Sequence, residues 1–121
     1  MAKKILVVDD EPHVVQLVKS RLAASGYEVA TAGNGLEALK EVEAAMPDLI
    51  ILDIMMPQMD GYSFVRELKA RQFLQAPPII MLTAKDQLKD LFVLEGVADY
   101  VTKPFEAQDL LEKVAKHLGP A

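Results

Sequence analysis

The chain has 121 residues, a formal net charge of -5, 51% hydrophobic and 26% charged residues, and no cysteine. That is enough chain for one domain with its own core, and it excludes a disulfide framework, a thiolate metal site and a thiol nucleophile. The acidic balance speaks against nucleic acid or an anionic membrane surface as a partner, and no apolar stretch approaches the roughly 18 residues of a membrane span.

The start, MAKKILVV, is basic and then apolar, but Asp9 and Asp10 end the run too early for a signal peptide. A cytoplasmic location is therefore expected. Lys3–Val8 reads as a first strand. Val14, Leu17, Val18 and Leu22 then recur at helical spacing, with Pro12 at the first helical position and Gly26 at the stop. Tyr27–Thr31 is a second strand. Leu36, Leu39, Val42 and Met46 form a second stripe, opened by Asn34 with Glu37 three residues on, a capping box, and closed by Pro47. Leu49–Leu52 is a third strand, followed by a helix carrying Phe64, Val65, Leu68 and Phe73. Pro78–Leu82 is a fourth strand, and Leu88, Leu91, Phe92 and Glu95 suggest a short, irregular helix. Asp99–Thr102 is a fifth strand. Leu110, Leu111, Val114 and Leu118 mark a last helix, with Gly119 and Pro120 behind it.

The strand cores at 5–8, 49–52 and 79–82 hardly alternate, as expected for strands covered on both faces. Strands alternating with helices imply a doubly wound parallel sheet. In such a sheet, ligands sit beyond the carboxyl ends of the strands. Those ends carry Asp9, Asp10 and Glu11 after the first strand, Asp53 after the third, Thr83 after the fourth and Lys103 after the fifth. Singly, each has a structural explanation: Asp53, Thr83 or the acid pair as helix caps, Lys103 as a solvated loop residue. The fold brings them to one edge, and together those explanations weaken. Two carboxylates about 4 Å apart repel by about 4 kcal/mol at an effective dielectric of ~20. An all-oxygen acidic cluster therefore asks for a hard cation, and Mg²⁺ suits it better than Ca²⁺, since no D-x-D-x-D-G loop is present. With such a cation Asp53 is placed to act as a nucleophile and form an aspartyl phosphate. Lys103 and the Thr83 hydroxyl would meet other oxygens of the phosphoryl group.

The segments ILVVDDE, LIILDIMMPQMDG, IIMLTA and DYVTKPF resemble the receiver domain of two-component response regulators. The resemblance runs over essentially the whole chain. It implies a flavodoxin-like sheet of order 2-1-3-4-5 with helices on both faces, and a single receiver domain spanning 1–121, stand-alone or excised from a longer regulator. Asp53 would be the phospho-acceptor. Asp10 would ligate Mg²⁺ directly and Asp9 largely through water, with Asp53 and the Met55 backbone carbonyl completing the protein ligands. Thr83 would be the switch hydroxyl, Lys103 the partner of the phosphoryl group and Tyr100 the aromatic switch. Pro57 and Gly61 match the loop after the acceptor, and the Lys103–Pro104 peptide would be cis. The implied partners are a sensor histidine kinase or phosphotransfer protein and an unidentified output partner, with a homodimer on activation as an open alternative. Direct nucleic-acid binding and membrane association are not expected. Nor is a turnover enzyme, since such a domain catalyses only its own phosphorylation and dephosphorylation.

One departure stands out: the interval from Thr83 to Lys103 is a couple of residues shorter than the family usually shows. That puts the family's output surface around the fourth helix in doubt. It also keeps a pseudo-receiver, binding partners without phosphorylation, as the alternative. A Mg²⁺-dependent phosphatase would want a second Asp where Met55 stands, and a flavin-binding module a phosphate loop where DDEPH stands. His13 and His117 lack metal-ligand spacing, and His117 reads as a charge at a helix C-terminus.

Overall fold

The computed structural model describes residues 3–54, 61–71, 76–83 and 97–119. Its elements are β1 (Lys4–Val8), α1 (Pro12–Ala24), β2 (Glu28–Ala32), α2 (Gly35–Ala44), β3 (Leu49–Asp53), α3 (Gly61–Ala70), β4 (Ile79–Thr83), β5 (Val97–Thr102) and α4 (Ala107–Leu118). The five strands form one parallel sheet in the order β2-β1-β3-β4-β5. This is the doubly wound, flavodoxin-like arrangement. The helix expected around Leu88–Glu95, with Phe73, lies outside the described residues.

Pleating assigns the strand side chains to two cores. Leu6, Val8, Ile50, Leu52, Ile79 and Met81 pack with Leu39 and Val42 of α2 and Phe64, Val65 and Leu68 of α3. Ile5, Val7, Leu49, Ile51, Ile80 and Leu82 pack on the other face with Val18 and Leu22 of α1 and Leu110 and Val114 of α4. All residues of β3 and β4 are buried, which is why these strands read as unbroken apolar runs. The edge strand β5 alternates instead. It begins at Val97, two residues earlier than expected, with a register irregularity opposite Ile79/Ile80.

Local chemistry sets the helix ends. Pro12 occupies the start of α1, and Gly26 behind its end takes φ 99°. Asn34 Oδ1 accepts the Glu37 N–H at 2.9 Å. Glu37 Oε2 reaches back one residue further than a regular capping box, to the Gly33 N–H at 2.8 Å. Two stripe assignments need correction. α2 stops at Ala44, because Ala45 is extended and Met46 precedes a proline, which disfavours helix. Met46 is therefore exposed, and so is Leu36 in the first turn of the helix. Leu17 is 48% exposed, lining an open groove with His13, Val14 and Phe105. None of the described helices is long and apolar enough to cross a membrane.

The difference between Leu17 and Leu22 is testable within one helix. Leu22→Ala should cost about 2–5 kcal/mol in urea unfolding. Leu17→Ala should stay within about 0.5 kcal/mol of wild type.

Candidate functional site

The order of the sheet changes direction at β1, with β2 on one side and β3 on the other, and ligand crevices open at the carboxyl edge of such a point. The pleat that sends Val7 and Ile51 into the α1/α4 core carries Asp9 and Asp53 on in the same series. Both acids are nearly enclosed, Asp9 at 1% and Asp53 at 5% exposure, and Asp10 beside them is exposed. One carboxylate oxygen from each of Asp9, Asp10 and Asp53 lies within 4.8 Å of the others.

Lys103 enters this cluster from the end of β5. Its Nζ lies 3.2 Å from Asp9 Oδ2, 3.4 Å from Asp53 Oδ2 and 3.4 Å from Glu11 Oε1. Burial pulls the Lys103 ammonium toward deprotonation, but the charges of Asp53, Asp9 and Glu11 and the hydrogen bond to Asp9 outweigh it, so its pKa is raised. The backbone holds it there. The Lys103 N–H donates to the Thr83 carbonyl at 2.7 Å, and the Lys103–Pro104 peptide is cis. This hydrogen bond ties the carboxyl ends of β4 and β5 together. Thr83 is buried, at 1% exposure.

Asp9 also organises the start of α1, its Oδ1 accepting the Glu11 N–H at 3.0 Å. Gly61 closes the other side of the site. Its N–H donates to the Ile54 carbonyl at 2.8 Å. A Cβ there would lie 2.8 Å from Ile54 Cα and 2.9 Å from the Asp53 carbonyl oxygen, so only glycine lets α3 begin so close to the end of β3. Met55 and Pro57 lie outside the described residues.

The donor set fits a hard divalent cation: among the described residues three carboxylates converge, two of them buried, and one ammonium faces them. Asp9, Asp10 and Asp53 are the residues that could hold it.

A second ionic cluster was not legible in the sequence. Asp99 at the edge strand meets His117 Nε2 at 3.0 Å, Lys113 Nζ at 3.2 Å and Lys116 Nζ at 3.9 Å, all from α4. His117 is thus an anchor between helix and sheet, and not merely a charge at a helix end. Tyr100, next to Asp99, is 40% exposed. Burial raises the Asp99 carboxyl, but hydrogen bonds from His117, the Tyr100 backbone and Lys113 lower it further, leaving it below the usual carboxylate range. A depressed folded-state pKa contributes stability that is present above the unfolded carboxylate range and is lost as pH falls through it. The stability difference between wild type and Asp99→Asn should therefore be full at neutral pH and shrink on acidification below about pH 4, measured by denaturant unfolding at stepped pH.

The pattern of the response regulator receiver domain matches residues 5–115. The chain is 47% identical over 116 residues to the alkaline phosphatase synthesis transcriptional regulatory protein PhoP of Bacillus subtilis, covering 94% of this chain and 48% of that protein. It is 45% identical over 114 residues to the probable transcriptional regulator ycf27 of Cyanophora paradoxa, covering 93% of this chain and 46% of that one. The chain thus spans about half the length of the curated relatives it matches. Among solved structures, a CheY-like receiver domain protein of Methanospirillum hungatei superposes with a TM-score of 0.87 at 35% identity, covering 97% of this chain and 94% of that one. The response regulator TrrA of Thermotoga maritima, in complex with Mg(2+)-BeF, gives 0.85 at 42% identity, covering 96% of this chain and 99% of that one. With the family pattern matched from β1 into α4 and the fold shared with solved receivers, this chain belongs to the response regulator receiver domain family.

Proposed function

We propose that this chain is a phospho-accepting receiver, in which Asp53 takes a phosphoryl group from a sensor histidine kinase or phosphotransfer protein and the change is read at Thr83 and Tyr100. The observation that carries this is the convergence of Asp9, Asp10 and Asp53, one carboxylate oxygen of each within 4.8 Å of the others, with Lys103 on Asp53. An Asp53 carboxylate oxygen forms the new bond to phosphorus as the bond from phosphorus to the donor's histidine nitrogen breaks. Lys103 faces the oxygen charge that builds up and keeps its own proton, since its neighbours hold it cationic. Bound Mg²⁺, held by Asp10, Asp53, Asp9 through water and the Met55 carbonyl, would neutralise the carboxylates and the phosphoryl oxygens.

Phosphorylation replaces one negative charge on Asp53 with a larger one and adds acceptor oxygens. Thr83 ends the strand beside β3 and is tied by its carbonyl to Lys103, so the Thr83 hydroxyl is a neutral donor at the same sheet edge for a new oxygen. Movement of Thr83 toward it opens room for the Tyr100 ring to turn inward. This change of population is the signal. The solved neighbour in complex with Mg(2+)-BeF supports the cation assignment by similarity. The curated relatives named as transcriptional regulators are about twice as long as this chain, so any output through DNA would be theirs to carry outside the aligned region.

Intact mass after incubation with acetyl phosphate is the test. Wild type with Mg²⁺ should gain one phosphoryl group, and wild type without Mg²⁺ or Asp53→Asn should gain none. Lys103→Met should slow the gain about 100-fold. A folded wild type that gains nothing would overturn the reading in favour of a phosphorylation-independent binding module.

A further inference from the structure

Tyr100 is held by one cationic group at several points. The Lys113 Nζ stands over the Tyr100 ring, 5.0 Å from its centroid. The same ammonium donates to the Tyr100 backbone carbonyl and pairs with Asp99 Oδ1 at 3.2 Å. That carboxylate oxygen also accepts the Tyr100 N–H at 2.9 Å. The other oxygen of Asp99 is anchored to α4 through His117 and Lys116. Asp99 is only 15% exposed on its side chain, and Lys113 is 34% exposed, so the cation is fixed more firmly than an ordinary surface lysine.

These contacts divide into two kinds. The bonds from Lys113 to Asp99 and to the Tyr100 carbonyl involve the backbone and a neighbouring residue, and they survive a rotation of the Tyr100 side chain. The contact with the ring face does not. A contact made in only one of two states shifts the balance between them, whereas one made equally in both shifts nothing.

We propose that Lys113, fixed in place by Asp99, is a positioning residue that holds the Tyr100 ring in its outward orientation and so sets the resting balance of the switch. This rests on the reading of Tyr100 as the switch aromatic. A cation over an exposed ring is worth about 0.5–1 kcal/mol, or about a 2- to 5-fold change in the outward-to-inward ratio. A bias of that size adjusts the set point without locking the switch. Because the two equilibria are linked, releasing it should tighten binding of a phosphoryl mimic by up to the same factor.

The test uses the full chain with ring-¹³C-labelled tyrosine and NMR, the Tyr100 signal being assigned with Tyr100→Phe. Wild type, Lys113→Met and Lys113→Arg are compared alone and with Mg²⁺ and beryllofluoride. Thermal unfolding of each variant checks that it is folded. Lys113→Met without the mimic should move the Tyr100 signal part of the way toward its mimic-bound position and should bind the mimic about 2- to 5-fold more tightly. Lys113→Arg, which keeps the cation, should resemble wild type. An unmoved signal in Lys113→Met, with wild type still responding to the mimic, would overturn the proposal and leave the switch reading standing. So would equal shifts in Lys113→Met and Lys113→Arg, which would mean that packing and not charge holds the ring. A wild-type Tyr100 that ignores the mimic would overturn the switch reading and the proposal with it.

Discussion

The contest between like charges at the end of β1 and β3 is the constraint on which the rest of this molecule depends. Asp9 and Asp53 lie side by side and nearly out of water, with Asp10 and Glu11 adjoining. Buried carboxylates persist only when something compensates them. Lys103 supplies part of that compensation: its ammonium is within 3.4 Å of three of the four acids. Among the described residues, one positive charge faces four negative ones, and that excess makes the cluster attractive to a divalent cation. A fold that merely wanted stability would have put apolar groups here. The arrangement is better understood as a site held in readiness, at a cost carried by the two large cores on either side of the sheet.

The geometry of the site follows from the sheet order. With β1 next to β3, the two acids are neighbours, and with β4 and β5 following on, Thr83 and Lys103 arrive on the same edge. The backbone bond from Lys103 to the Thr83 carbonyl links the charge-compensating residue to the proposed switch residue through a single peptide group. In the proposed switch, a disturbance at Asp53 would have a short route through β4 to β5, where Tyr100 sits under its lysine. The clamp at Asp99 fixes the far end of that route to α4.

Much of this was readable from the residues. The runs ending in Asp53 and Thr83 are unbroken because β3 and β4 are covered on both faces, and an apolar run that stops at a polar residue marks the carboxyl edge of the sheet in the sequence itself. The cap at Asn34 and the proline at the start of α1 were legible because they act within one turn of chain. The exposure of Leu17 and Leu36 was not: periodicity says which residues share a stripe, but exposure depends on how wide a stripe the neighbouring elements cover. The Asp99 cluster was hidden for a related reason. Its partners lie 14 to 18 positions away and meet Asp99 only when α4 docks on the edge strand. No spacing rule in the sequence announces such a pair. His117 therefore looked like an isolated helix-end charge.

The central claim is that the acidic cluster is a cation site built from Asp9, Asp10 and Asp53, and stability against Mg²⁺ concentration measures it directly. Binding to the folded state alone stabilises it by about 1.4 kcal/mol for each tenfold rise in Mg²⁺ above the dissociation constant. Urea unfolding of wild type should show this rise with an unchanged dependence on denaturant, and Asp10→Asn and Asp53→Asn should each abolish or sharply weaken it. A wild type indifferent to Mg²⁺, or variants that gain as much as wild type does, would contradict the account.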